Sequence, residues 1–331
     1  MLIKESHSVN QLREFLYKVI ICYKKLNNFD AVLAGNFVYT QQQELLVVLK
    51  KIKIPSLIIY KEGMLPIAKF KTAKDFLYKT KVFRADHIMF YNDFIRDTLV
   101  ETNMKGLSFE KTTVVGLPRF DKYFNSKFEK KSNQIVLFSF EPNEKGNYLL
   151  EDQSYFPQFE NEVTKFHLLF AKFCEENKEF NLVVKTKGSD RAKNYAKKIY
   201  DPFVKKLSNR LIITSDIKAD NLVENSSFIA GFSSTTLIEG LASNKRIICP
   251  KFSNTIFNHE NDLLHPYQQL ASYILEYSEL LNIFEKDVTI DKVLKEKFIC
   301  ERVFKDDGNA SIRAEQCIVD VINNFKKDEE K

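Results

Sequence analysis

The sequence predicts an α/β chain of two doubly wound parallel-sheet domains, and three observations lead there. Short strands that are apolar throughout alternate with segments of helical spacing, as in sheets whose two faces are both covered by crossover helices. A length of 331 residues suits two domains of ordinary size. The polar, lysine-rich stretch Phe124 to Asn133 (FNSKFEKKSN) separates two such alternating blocks and reads as a linker.

Within the first block, Leu12, Phe15, Leu16, Val19, Ile20, Tyr23 and Leu26 follow helical spacing, with Ser8 and Gln11 placed as a capping box. Phe29 to Ala34 is a strand, Thr40 to Lys51 a helix, and Ser56 to Tyr60 the next strand. A weaker helical stretch covers Ile67 to Lys81, followed by a strand at His87 to Tyr91, a helix at Asp93 to Met104, and a strand at Thr112 to Val115 that runs into Gly116-Leu117-Pro118-Arg119-Phe120-Asp121. The second block opens with the strand Ile135 to Phe140 and a polar loop. Helices at Glu162 to Glu176 and Arg191 to Leu207 flank the strand Phe180 to Lys185. Strands at Leu211 to Thr214, Ser227 to Ala230 and Arg246 to Cys249 follow, then a last helix at Ser311 to Phe325 and a charged, solvated tail.

Composition narrows the class. Lys plus Arg number 50 against 44 Asp plus Glu, so the net charge of +6 gives a mild preference for anionic partners. The five cysteines are scattered and odd in number, which indicates neither a disulfide framework nor a metal pair and fits a reducing cytoplasm. The start carries no apolar leader, and no run approaches the ~18 residues that span a bilayer. The P-loop, dinucleotide and serine-hydrolase signatures are absent. His7, His87 and His167 read as packed or exposed, while His259 and His265 share a loop with Glu260 and Asp262 without the spacing of a helical metal pair.

The most informative stretch is Phe228 to Pro250 (FIAGFSSTTLIEGLASNKRIICP). A strand ends at Gly231, the hydroxyls of Ser233, Ser234, Thr235 and Thr236 open a helix, and Glu239 lies one turn inside it. The free N–H groups and partial positive charge of a helix start stabilise an anion such as a diphosphate, and Glu239 can accept from ribose hydroxyls. An ordinary N-cap explains part of the cluster, but four hydroxyls exceed what a cap requires. Lys185 and Lys187 close the strand of VVKTKGSD, where ammonium groups could face the same anion or simply face water. Ser139, after the first strand of the second block, could contact a donor base or phosphate. Arg119 offers a donor fork for phosphate or carboxylate, or else pairs with Asp121 at a structural junction. Glu62, on the loop Tyr60-Lys61-Glu62-Gly63-Met64-Leu65-Pro66 after a buried strand, is the candidate general base.

SSTTLIEGLASNKRIICP resembles the nucleotide-binding segment of GT-B glycosyltransferases of bacterial surface polysaccharide synthesis. GLPRFD is similar to the G-x-P-R-x-D element of CDP-glycerol glycerophosphotransferases and related enzymes, including Kdo transferases. The resemblance implies a GT-B fold, two Rossmann-like domains facing a cleft. Residues 1–125 would be the acceptor domain, without its usual first strand, and 134–331 the donor domain, with the last helix able to pack back on the first. It implies a metal-independent transferase with no cofactor, in which Lys185, Lys187, Ser233, Ser234, Thr235, Thr236, Glu239, Arg119 and Ser139 bind the donor and Glu62 activates the acceptor. The implied partners are a nucleotide-activated sugar, a CMP-Kdo-like donor being preferred, and a glycan or lipid-linked acceptor. Cytoplasmic location with peripheral association at the inner membrane face is expected, and nucleic acid is not. Two departures stand out: the family's His-Pro after the VVK strand is missing, and Glu62-Gly63 replaces its His-Gly, which argues against a glycerol phosphate donor. Rival readings are a non-catalytic sugar-nucleotide-binding or scaffolding module, a glycerophosphotransferase and a sugar-nucleotide epimerase.

Overall fold

In the computed structural model the described residues are 7–62, 64, 78, 81–125, 132–139, 141–142, 150, 152–253, 256–286 and 290–329. The chain divides into two compact units. Unit 1 is Met1–Met64, Lys69–Asp121 and Cys300–Lys331, and unit 2 is Leu65–Ala68 and Lys122–Ile299. Most of the expected helix at Ile67 to Lys81, the linker residues 126–131 and the loop residues 143–149 lie outside the described residues.

Unit 1 opens with helix α1 (His7–Asn27), then β1 (Val32–Ala34), α2 (Thr40–Lys51), β2 (Ser56–Ile59), β3 (His87–Phe90), α3 (Asp93–Val100) and β4 (Thr112–Val114). Helix α1 is already helical at His7, so Ser8 is not its cap. Helix α3 is capped by Asn92, whose side chain accepts from Ile95 N–H. It stops short of the expected Met104 because Asn103 adopts φ 51. The sheet is parallel with order β1-β2-β3-β4. Strands added in one direction through right-handed crossovers place their connecting helices on one face. On that winding the opposite face of the described strands needs another cover. Helix α11 (Ala310–Glu329) supplies it: Ala314, Cys317, Ile318 and Val321 pack on Leu57, Ile59, Met89 and Val115.

The segment GLPRFD builds this cover. Gly116 has φ +86, and a Cβ there would stand 3.1 Å from Ala310 Cβ and 3.3 Å from the Val303 carbonyl oxygen, so glycine is required. Arg313 Nε donates to Val115 O at 2.8 Å. The two Asp121 carboxylate oxygens accept from Ala310 N–H (2.9 Å) and Ser311 N–H (2.7 Å), filling the N-terminal donors of α11. In place of the expected pairing with Arg119, helix capping is the role the structure gives Asp121.

Unit 2 begins with the short helix α4 (Asp121–Asn125) and continues β5 (Gln134–Phe138), α5 (Phe156–Glu176), β6 (Asn181–Lys185), α6 (Asp190–Leu207), β7 (Leu211–Thr214), α7 (Ala219–Glu224), β8 (Phe228–Gly231), α8 (Thr235–Ala242), β9 (Arg246–Pro250), β10 (Ser272–Ile274), α9 (Tyr277–Glu285) and α10 (Lys292–Val303), whose last residues belong to unit 1. Its parallel sheet has order β10-β9-β8-β5-β6-β7. The chain starts in the middle, winds one way and returns to the other side of β5, so the sheet is doubly wound with its switch point between β5 and β8. Ile135, Leu137, Leu182, Val184, Ala230 and Ile248 face α5, α6 and α9. On the other face, Gly240 lets α8 lie close to the sheet: a Cβ there would stand 2.7 Å from Ile247 Cδ1.

Two stability predictions follow from these contacts. Asp121→Ala leaves two helix-start donors without their acceptor and should lower stability by about 1–2 kcal/mol in urea unfolding; an unchanged midpoint would contradict the capping role. Burial lowers the His167 pKa from 6.5 to about 3. On acidification the unfolded chain therefore takes up the proton first, and stability is lost as pH falls from 6.5 toward 3. Between pH 7 and pH 5 this amounts to about 2 kcal/mol, and the fall should shrink by that much in His167→Gln.

Candidate functional site

In unit 2 the candidate site sits where β5 and β8 end, and an aromatic cluster shapes it. Phe232, directly after β8, is buried with its ring 4.6 Å from that of Phe252, 5.0 Å from Phe257 and 6.4 Å from Phe159. With this side chain anchored, the next residue turns sharply, and Ser233 adopts φ 47. A non-glycine residue in that region costs roughly 1–2 kcal/mol, and such strain concentrates at functional positions. The turn delivers Ser234 as N-cap of α8, accepting from Thr236 N–H.

Ser234 Oγ and Thr236 Oγ1 lie 2.7 Å apart and satisfy each other. Thr236 is buried, and its hydroxyl, one of the expected donor-binding groups, meets Ser234 at the cap. Ser233 and Thr235 are half-exposed. Beside them, at the end of β5, Ser139 N–H donates to Lys185 O at 2.8 Å. Ser139 Oγ is sequestered from solvent without a hydrogen-bond partner among the described residues. Gly231, paired with Phe138 in the sheet, is held tightly, since a Cβ would lie 3.3 Å from Phe138 O.

Lys185 departs from expectation. Its Nζ donates to Thr186 O at 2.9 Å and to Ser215 O, beyond β7, at 3.0 Å, so the ammonium turns away from β8. Burial lowers its pKa, opposed by nearby Asp216. Lys187 is exposed on the loop that precedes α6. Glu239, expected as a ribose ligand, is buried, and its Oε2 accepts from Tyr123 OH at 3.0 Å. Tyr123, four residues after Arg119, was not singled out by sequence reasoning. The signal was its place in a helix started by Pro118, one turn after the motif.

In unit 1 a second group forms at the carboxyl ends of β1, β2 and β3. Glu62 is half-buried, and Asn36, fully buried, donates through Nδ2 to Glu62 Oε1 at 3.1 Å. Asn36 Oδ1 accepts from Val38 N–H at 2.7 Å, which fixes the amide. Tyr91 OH donates to Glu62 O at 3.0 Å, and the hydroxyls of Tyr60 and Tyr78 bond each other. Burial foremost raises the pKa of all three tyrosines, so they are neutral hydrogen-bonding groups. A carboxylate oriented at one oxygen and open at the other is suited to taking a proton. Arg119 is exposed with Nη2 3.6 Å from Met64 Sδ, beside the Glu62 loop.

In the loop after β9, Asp262 is drawn into local bonding: Oδ2 accepts from Tyr273 OH and Oδ1 from Leu264 N–H. Among the described residues no group of three or more His, Cys, Asp or Glu side chains is placed to hold a metal ion. Nor is any described helix long and apolar enough to cross a membrane.

Comparison with solved structures finds the same fold at low identity. The chain is similar to the S. aureus MnaA structure with UDP (15% identity, TM-score 0.53), covering 98% of this chain and 81% of that one. It is similar to UDP-GlcNAc 2-epimerase from Neisseria meningitidis bound to UDP-GlcNAc (12%, TM-score 0.55), covering 96% and 83%. A third match is UDP-GlcNAc 2-epimerase from Methanocaldococcus jannaschii (12%, TM-score 0.54; 95% and 83%). These place the chain in the GT-B architecture. No curated protein sequence matches significantly. Residues 61–259, more than half of the chain, match the family described as "Capsule polysaccharide biosynthesis protein", and the chain belongs to that family.

Proposed function

We propose that the protein is a glycosyltransferase that moves a sugar from a nucleotide-activated donor to a surface polysaccharide or lipid-linked glycan acceptor. The observation that carries this reading is the switch-point site of unit 2. There the strained Ser233, the half-exposed Thr235, the sequestered Ser139 hydroxyl and the start of α8 converge at one sheet edge. Nucleotide phosphates bind at such edges. Membership in a capsule synthesis family and likeness to structures holding UDP or UDP-GlcNAc agree with it.

An acceptor hydroxyl attacks the anomeric carbon while its proton passes to Glu62. The bond from that carbon to the nucleotide phosphate breaks, and negative charge grows on the departing phosphate. The positive end of α8, the Ser233 and Thr235 hydroxyls and Ser139 Oγ stabilise that charge, which is the larger part of the acceleration. Lys187 lends long-range positive charge. Asn36 holds one Glu62 oxygen so that the other meets the acceptor proton. Glu239, bonded to Tyr123, sets the position of α8. A CMP-linked sugar acid is the donor that the GLPRFD resemblance favours, and UDP-sugars are the alternative from the structural neighbours.

The epimerase reading is the second one, favoured by the UDP-GlcNAc 2-epimerase neighbours. Product analysis separates the two, because a transferase links sugar to acceptor whereas an epimerase returns an altered sugar without acceptor.

In a thermal-shift series with CMP, CDP, UDP, GDP and dTDP, at least one nucleotide should raise the melting temperature. Ser139→Ala with Thr235→Val should weaken its binding about tenfold or more while leaving the ligand-free melting temperature nearly unchanged. No shift with any of the five, or a shift that survives both substitutions, refutes the site. Glu62→Gln should lower turnover by about 10²–10⁴ with donor binding intact; unchanged turnover removes Glu62 as the base.

A further inference from the structure

Helix α1 lies outside the family match, and its outward face has no role in the chemistry above. Its contacts with α2 settle its orientation: Arg13 pairs with Glu44, Lys51 lies over the Tyr17 ring at 5.9 Å, and Ile20 is buried. At 3.6 residues per turn, Phe15, Val19, Cys22 and Leu26 form one stripe on the opposite side. All are exposed, Phe15 at 62%, Val19 at 44% and Leu26 at 77%, with Tyr23 beside them at 59%. Four large apolar side chains left in water along one line call for a cover.

The charges around the stripe select what that cover is. Lys18 and Lys25 border it on one side. On the α2-facing side, away from the stripe, lie Lys24 and Lys51, the latter over the Tyr17 ring. Glu14 is the acidic residue of the α1 surface and is bonded to Lys18 at 2.7 Å. A second copy of the chain docked on the stripe would bring the Lys18 and Lys25 pairs of both copies to one seam and repel. An anionic bilayer surface satisfies both features at once, apolar side chains entering the headgroup boundary and lysines meeting lipid phosphates.

We propose that α1 docks the protein on an anionic membrane surface, lying in the interface with Phe15, Val19, Tyr23 and Leu26 inserted. This surface is independent of the sugar-donor reading.

The test is co-sedimentation of the full chain with phosphatidylglycerol-containing vesicles and with pure phosphatidylcholine vesicles. Binding should be strong on the first, weak on the second, and reduced by salt. Phe15→Ser with Leu26→Ser should weaken it about tenfold or more, and Lys18→Gln with Lys25→Gln about tenfold. All four positions are exposed, and the nucleotide thermal shift, read on the same samples, should be unchanged. Equal sedimentation with both vesicle types, no sedimentation, or binding unaffected by either pair overturns the proposal. So does a concentration-dependent dimer in analytical ultracentrifugation that Phe15→Ser with Leu26→Ser abolishes.

Discussion

The anchoring of Phe232 is the constraint on which the candidate nucleotide site depends. Its ring is enclosed by Phe159, Phe252 and Phe257, so the chain leaving β8 has no freedom to relax and Ser233 is held in the left-handed region. That turn sets the axis of α8. Gly240 then lets the helix settle on Ile229 and Ile247, and Tyr123 holds Glu239 from the side. Packing in the aromatic cluster thereby fixes the start of α8, where Ser234 caps the Thr236 N–H.

The two units reach their sites differently. In unit 2 the reversal of strand order opens a crevice between β5 and β8. Unit 1 has no such reversal among its described strands, and its candidate carboxylate is instead oriented by a buried amide, Asn36, and by the backbone bond from Tyr91. Neutral tyrosines around it supply direction without competing charge.

Much of this was legible in the sequence, for stated reasons. Strands β5, β6, β8 and β9 are buried on both faces and read as uninterrupted apolar runs. Thr40–Lys51 is found with the bounds its spacing predicts. Strand β10, Ser272–Ile274, was not read, because a three-residue edge strand leaves no periodicity to detect. Helix α5 starts at Phe156 rather than Glu162, since Pro157 at its first turn is a start signal that the apolar spacing alone does not carry. At the site, residue type told which groups matter, but not where they point. The helix start was visible as four hydroxyls, two of which meet locally at the cap; that Lys185 turns toward Ser215 and that Asp121 serves α11 depend on long-range geometry.

The cover that α11 places over unit 1 has a consequence for how the chain is made. Every described strand of unit 1 precedes Lys122–Ile299, the main segment of unit 2, yet Ala314 and Cys317, which shield Leu57 and Met89, come after it. On the ribosome the first half of the protein must wait with one sheet face bare while the intervening unit, nearly contiguous in sequence, is synthesised and folds. The amino-terminal unit is the first to emerge and the last to be finished.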